Sequence, residues 1–68
     1  MKQISGKEFC KLIEQKGWVL KRITGSHFIF MKEGYEERLT IPVHKNIPLK
    51  FGLLKALMKI AELNVNDL

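Results

Sequence analysis

Two histidines are the side chains of this chain best suited to proton transfer near neutral pH. His27 follows Gly25 and Ser26 at a predicted tight turn, and His44 ends the segment Ile41-Pro42-Val43-His44. An imidazole ordinarily has a pKa of about 6.5, so it acts as a general acid or a general base. If the two segments pair as a hairpin, both histidines lie at the same end of it.

Basic side chains are the second group that could take part in the chemistry or in binding. The formal net charge is +5, and a small basic domain most often binds polyanions, so nucleic acid is the leading partner class. The residues predicted to hold phosphates are Lys21, Arg22, Lys50, Lys55 and Lys59. For any one lysine a solvated surface position is the better interpretation, whereas a collective role predicts RNA binding that weakens steeply with salt.

These groups fit the chemistry of metal-free RNA cleavage, although His27 taken alone is better interpreted as a surface residue of a strand. One group removes the proton from a ribose 2′-hydroxyl, which attacks the adjacent phosphate, and another group protonates the departing oxygen. In this hypothesis His27 has the base or acid role. His44, which is followed by Lys45 and Asn46, is better interpreted as a solvated loop residue, with phosphate binding or a second acid–base role as alternatives, and stays outside the catalytic set. Two histidines and the single Cys10 have no zinc-site spacing, so we predict no metal and no cofactor.

The first element that positions these groups is a helix predicted over residues 6–16. Ser5 and Glu8 have the Ser-x-x-Glu spacing of a capping box, which starts a helix. Gly17 supplies the left-handed residue that commonly ends one. Trp18 follows directly and is predicted to lie in the core.

Three strands are predicted over residues 18–23, 27–32 and 38–43, as an antiparallel meander. We expect Phe28 and Phe30 to face the helices, which places His27 on the outer face of the sheet. His27 then lies opposite Pro42 or His44, depending on the register. On the same outer face, Ile29 and Met31 form an apolar patch that is best explained as a protein contact. Tyr35, at the tip of the second hairpin, is undecided between base stacking and packing.

A second helix is predicted to begin at Pro48 or shortly after it. Its apolar surface comprises Leu53, Leu54, Leu57, Met58 and Ala61. Gly52 is costly inside a helix, so close packing or the approach of a ligand is expected to favour it. The chain is therefore predicted to be a single α+β domain over residues 1–68, in the order α-β-β-β-α, with two helices on one face of a three-stranded antiparallel sheet.

Three motifs in this order resemble the HicA toxin family, and the resemblance covers nearly the whole chain. They are Gly25-Ser26-His27-Phe28-Ile29-Phe30, then Ile41-Pro42-Val43-His44, then Leu49-Lys50-Phe51-Gly52-Leu53-Leu54 with Ile60-Ala61 behind them. The resemblance implies a fold like the double-stranded RNA-binding domain, mRNA interferase activity, and neutralisation by a HicB-like antitoxin. It makes His27 the implied catalytic residue, with Gly25 and Ser26 contacting the RNA.

A noncatalytic RNA-binding module of the same fold is the alternative, and a purely protein-binding domain is a third possibility. The longest uninterrupted apolar run is residues 28–31, whereas a membrane-spanning helix needs about 20 apolar residues. The N-terminus has no secretory hydrophobic region. We therefore expect a cytoplasmic protein that does not contact a membrane.

Overall fold

A computed structural model of the chain describes residues 3–68 and has the predicted α+β architecture. The elements are α1 (Gly6–Gln15), β1 (Val19–Thr24), β2 (His27–Met31), β3 (Leu39–Pro42), α2 (Phe51–Ala61) and a short 3-10 helix (Val65–Asp67). Met1 and Lys2, the first residues of the predicted domain, lie outside the described residues. The order α-β-β-β-α is confirmed.

The capping box predicted for α1 is present. Ser5 Oγ accepts a hydrogen bond from the Glu8 backbone N–H at 3.1 Å, and the Glu8 carboxylate accepts one from the Ser5 backbone N–H at 3.2 Å. Both bonds satisfy donors that have no partner within the helix. The helix ends at Gln15 with Lys16 as its cap, one residue earlier than predicted, and Gly17 follows with a φ of +100°.

The three strands form one antiparallel sheet in the order β1-β2-β3, so β1 and β3 are its edges. Each strand begins and ends within one residue of its predicted bounds. The β1–β2 pairing contains a register shift between Leu20 and Arg22, at Lys21. Lys21 therefore has no partner on β2, and the alternation of side chains between the two faces of the sheet is interrupted at this residue.

The inner face of the sheet carries the core. Phe30, Leu39 and Ile41 are fully buried, and Phe28 is half-buried against them, so both phenylalanines face inward as predicted. The side chains that the helices add to this core are Phe9, Cys10, Ile13, Leu54, Leu57, Met58 and Ala61. The opposite face of the sheet, which carries His27, is not part of this core.

Helix α2 starts at Phe51, three residues after Pro48, with Lys50 as its N-cap. Two predictions about this helix need correction. Leu53, expected on the apolar surface, is 38% exposed. No atom lies within 4 Å of a Cβ built on Gly52, so close packing does not explain this glycine.

Non-local contacts fix the start of α1 against the end of β3. Ser5 and Pro48 form an isolated antiparallel bridge, and the Leu49 backbone N–H donates to the Ile4 carbonyl at 2.8 Å. A Cβ on Gly6 would collide with the carbonyl oxygen of Pro42. Gly6 is therefore required by close approach, and this approach supports the end of the sheet where His27 lies.

Candidate active site

A two-residue turn positions His27. Thr24 and His27 are paired across the β1–β2 hairpin, so the loop consists of Gly25 and Ser26 alone. Gly25 has a φ of +60°, whereas Ser26 is not among the residues of positive φ. This combination is that of a type II′ turn, which has glycine at its first central position. Because no atom lies within 4 Å of a Cβ at Gly25, the backbone conformation is what requires glycine there.

The His27 side chain is exposed at the start of β2. His27 is paired with Pro42 of β3, and this is one of the two registers that the sequence allowed. Among residues 3–68, no group forms a hydrogen bond or an ion pair with the imidazole. Both ring nitrogens are thus available to a ligand.

His44 contacts the same turn through Ser26. Its Nε2 lies 3.3 Å from Ser26 Oγ, within hydrogen-bonding distance, and the neighbouring Val43 N–H donates to the Ser26 carbonyl at 2.7 Å. The structure therefore brings His44 to the residue that precedes His27. The sequence indicated a shared end for the two histidines but did not reveal this contact.

Arg22 lies on the same outer face as His27. It is paired with Ile29, two residues along each strand from the Thr24–His27 pair, and residues two apart on a strand share a face. Diagonal neighbours of this kind are about 7–8 Å apart, within reach of a guanidinium. Lys21, at the register shift, is also exposed.

Lys50 is the helix lysine that lies near the histidines. It lines an apolar cleft of about 260 Å³ together with His44 and Pro42. Ile47 and Leu53, both exposed, form other parts of the wall. The N-terminal end of α2 therefore adjoins the end of the sheet that carries the β1–β2 turn.

Lys55 and Lys59 lie further along α2, about 7 and 13 Å from Lys50 measured along the helix axis. Lys59 lines a separate pocket with Glu36 and Glu37 of the β2–β3 loop, which joins the strands at the end opposite His27. The predicted phosphate-binding residues thus divide into a group near the turn and a group remote from it.

Trp18 and Tyr35 are engaged within the protein. Trp18 is buried, as predicted, and its ring centroid lies 5.1 Å from that of Tyr35. The Tyr35 hydroxyl donates a hydrogen bond to the Glu62 carboxylate, which raises the pKa of Tyr35. Tyr35, undecided from the sequence, is therefore a packing residue in this structure.

Three further observations on the described part of the chain concern metal binding, the thiol and membrane-spanning helices. Residues 3–68 contain no cluster of three His, Cys, Asp or Glu side chains that could hold a metal ion. Cys10 is buried in α1, and this burial, with the nearby Glu14 carboxylate, raises the pKa of its thiol to about 11. None of the helices described there has the length and apolarity to cross a membrane.

Comparison with known proteins gives one family. The model of the HicA toxin of bacterial toxin-antitoxin systems matches residues 6–63. The matched range includes the β1–β2 turn, both histidines and the five predicted phosphate-binding residues. Comparison with curated proteins found no match.

Proposed function

This chain belongs to the HicA family of bacterial toxins, and we propose that it is an endoribonuclease that cleaves mRNA without a metal ion through His27. The family establishes the toxin class of the chain. The cleavage reaction, its catalytic residue and its inhibition by an antitoxin are the proposal.

The observation that supports the proposal most directly is the His27 imidazole itself. It is exposed, it follows a two-residue turn of fixed geometry, and no described protein group occupies its nitrogens. A proton-transfer group needs to be held within hydrogen-bonding reach of the substrate and needs a nitrogen left for it. The exposed ring of His27 meets the second condition, and the hairpin that fixes its backbone position supports the first.

In this mechanism an RNA strand lies across the turn end of the outer face. Arg22, Lys21 and Lys50 bind its phosphates, and Gly25 and Ser26 contact the nucleotide beside the scissile bond. His27 then transfers a proton to or from the ribose–phosphate linkage. A positioned acid or base of this kind contributes roughly 10² to 10⁴-fold to the rate.

The decisive test is cleavage by the purified protein in the presence of a chelator. Wild-type protein is expected to cut RNA and to leave a 2′,3′-cyclic phosphate, the product of attack by the 2′-hydroxyl. His27→Ala is expected to lose at least about 100-fold in cleavage rate with an unchanged unfolding midpoint, because the exposed ring makes no hydrogen bond in the described structure. Glu33→Ala, an exposed change at the other end of the sheet, is the matched control.

The same assay separates the alternatives. Full cleavage by His27→Ala would remove this residue from the mechanism. A wild-type protein that binds RNA and leaves it intact would instead be a noncatalytic RNA-binding module. Absence of both binding and cleavage would leave a protein-binding domain.

We further propose that a HicB-like antitoxin inhibits the toxin by covering the outer face. Val19 and Met31 are directly paired there and are 53% and 39% exposed, and half-buried Ile29 lies between Met31 and His27 on β2. Exposed apolar residues grouped in this way are typical of a protein contact. A protein seated on them would also cover His27.

Met31→Asp tests this surface. Because it places a charge in the apolar patch and does not touch the turn, it is expected to weaken antitoxin binding by at least tenfold and to leave RNA cleavage intact. Binding is measured by titration with a HicB-like partner, with Glu33→Ala as control. Unchanged affinity would place the antitoxin elsewhere.

A further inference from the structure

We propose that His44 is the second proton-transfer group of the site, so that His27 and His44 act as an acid–base pair. The inference rests on the proposed ribonuclease function, which requires one group to accept a proton and another to donate one. His27 supplies only one of these roles.

Contacts from both strands bring His44 to the β1–β2 turn. Its Nε2 lies 3.3 Å from Ser26 Oγ, and Ser26 directly precedes His27. His27 lies opposite Pro42 of β3, which is two residues before His44. Val43, between Pro42 and His44, donates its backbone N–H to the Ser26 carbonyl at 2.7 Å. Both histidines therefore adjoin Ser26, although they are 17 residues apart in the sequence.

The backbone around His44 is also fixed. Its carbonyl accepts a hydrogen bond from the Ile47 N–H at 3.0 Å, which closes a turn over residues 44–47. Lys45 in this turn has a φ of +52°, a left-handed conformation that is unfavourable for a lysine. Such a conformation persists only where surrounding contacts impose it. The hydrogen bond and this conformation define the backbone of the turn that begins at His44.

Each acidic side chain of residues 3–68 is either remote from His44 or engaged in another contact. Glu33, Glu36 and Glu37 belong to the β2–β3 loop at the opposite end of the sheet. Glu8 is used in the capping box of α1, and Asp67 is paired with Lys16. The two others are Glu14, near the C-terminal end of α1, and Glu62, which accepts the Tyr35 hydrogen bond.

Among residues 3–68, the charged or titratable groups that the contacts place beside His44 are His27, which follows Ser26, and the lysines Lys45 and Lys50. Lys45 follows His44 in the turn, and Lys50 lines the same cleft. Both lysines are suited to hold the phosphates of the substrate rather than to exchange protons with it. His44 is thus the group at this end of the molecule that matches the missing role.

The proposed step conserves protons. One imidazole, neutral at the start, takes the proton of the ribose 2′-hydroxyl while the 2′-oxygen forms a bond to phosphorus. The bond between phosphorus and the 5′-oxygen breaks, and the other imidazole, protonated at the start, gives its proton to that oxygen. The products are a 2′,3′-cyclic phosphate and a 5′-hydroxyl, and the histidines regain their states by exchange with water.

His44→Gln separates proton transfer from positioning. The glutamine amide retains hydrogen-bonding capacity toward Ser26 but transfers no proton. Cleavage of ordinary RNA is expected to fall by at least about 100-fold, with an unchanged unfolding midpoint. His27→Gln is measured in parallel.

The decisive substrate has sulfur in place of the 5′-oxygen at the cleaved linkage. A thiolate leaves without receiving a proton, because thiols ionise near pH 8.5, far below alcohols. One of the two variants, the one that lacks the acid, is therefore expected to cleave the sulfur substrate at close to the wild-type rate. The other variant, which lacks the base, stays slow on both substrates.

Three results would overturn the inference. His44→Gln could cleave ordinary RNA at the wild-type rate while His27→Gln is inactive, which would leave the proposed function in place. Both variants could be slow with neither accelerated by sulfur, which would make His44 a structural residue. If wild-type protein cleaves no RNA, the proposed function fails first and the inference fails with it.

Discussion

At the level of individual residues, the exposure of a polar side chain determines whether it can react. His27 is exposed at the start of β2, and its ring is not hydrogen-bonded by any residue of the described range 3–68. Cys10, the single thiol, is instead buried in α1, and its pKa is raised to about 11 because burial disfavours the thiolate. A nucleophile that is not ionised at neutral pH takes no part in the chemistry, so the thiol is a packing residue.

This buried thiol predicts a loss of stability in alkali. Between pH 9 and about pH 11 the thiol of the unfolded chain ionises while the folded one stays protonated, so the folded state binds more protons and the free energy of unfolding falls as pH rises. The fall is expected to reach roughly 2 to 3 kcal/mol by pH 11. Urea unfolding of wild-type protein and Cys10→Ala as a function of pH measures it.

The raised pKa of Tyr35 acts in the same direction at higher pH, so Tyr35→Phe is included as a second control. Parallel pH dependence in wild-type protein and Cys10→Ala would contradict the assignment to the thiol.

The turn residues also show where sequence is sufficient. Gly25-Ser26-His27 is predictable because a two-residue hairpin turn depends on a glycine at one local position. The Ser26–His44 contact is not, because it depends on the β2–β3 register, which the sequence left open. The positive φ of Lys45 in the next turn is not predictable either, because lysine has no preference for that conformation.

Among the helices and strands, local interactions are again the predictable ones. The capping box starts α1 at the expected residue because Ser5 and Glu8 meet within one helical turn. Helix α2 starts three residues after Pro48, because the bridge from Pro48 to Ser5 and the bond from Leu49 to Ile4 keep that segment extended. Those contacts join residues far apart in the sequence, so local preference does not reveal them.

Two glycines in helices are expected to respond oppositely to alanine. Gly6→Ala places a methyl group against the Pro42 carbonyl, which is backbone and yields little, so a loss of about 1–3 kcal/mol in stability is expected. Gly52→Ala enters open space within α2 and is expected to gain about 1 kcal/mol. Denaturant unfolding of both variants is the measurement, and each serves as the control for the other.

Equal effects at the two positions would contradict the close approach of α1 to β3. If Gly52→Ala stabilises the fold but weakens RNA binding, the remaining sequence-based explanation for Gly52, approach of a ligand, gains support.

For the whole molecule, the arrangement of charge matters more than its sum. The net charge of +5 indicates a polyanionic partner without locating it. In the fold, Arg22 and Lys50 lie toward the turn, whereas Lys59 adjoins the acidic β2–β3 loop. Nearby carboxylates lower the local positive potential, so Lys59 is the poorer phosphate ligand.

Lys50→Gln is therefore expected to weaken RNA binding more than Lys59→Gln. Each lost phosphate contact reduces the slope of log affinity against log salt by about 0.7 for a single strand. Titrations at several salt concentrations, in the cleavage-deficient His27→Ala protein, give both slopes. Equal slopes for the two variants would show that RNA also follows the far half of α2.

The irregularity of β1 has a consequence for the solution behaviour of the protein. An edge strand offers unpaired backbone groups to other copies, and charged side chains and bulges are what discourage such pairing. Here Lys21, at the register shift, and Arg22 interrupt a strand that also exposes Val19 and Ile23. The cations proposed to bind RNA thus double as protection against aggregation. Removing both is expected to produce self-association at protein concentrations where the wild type stays monodisperse.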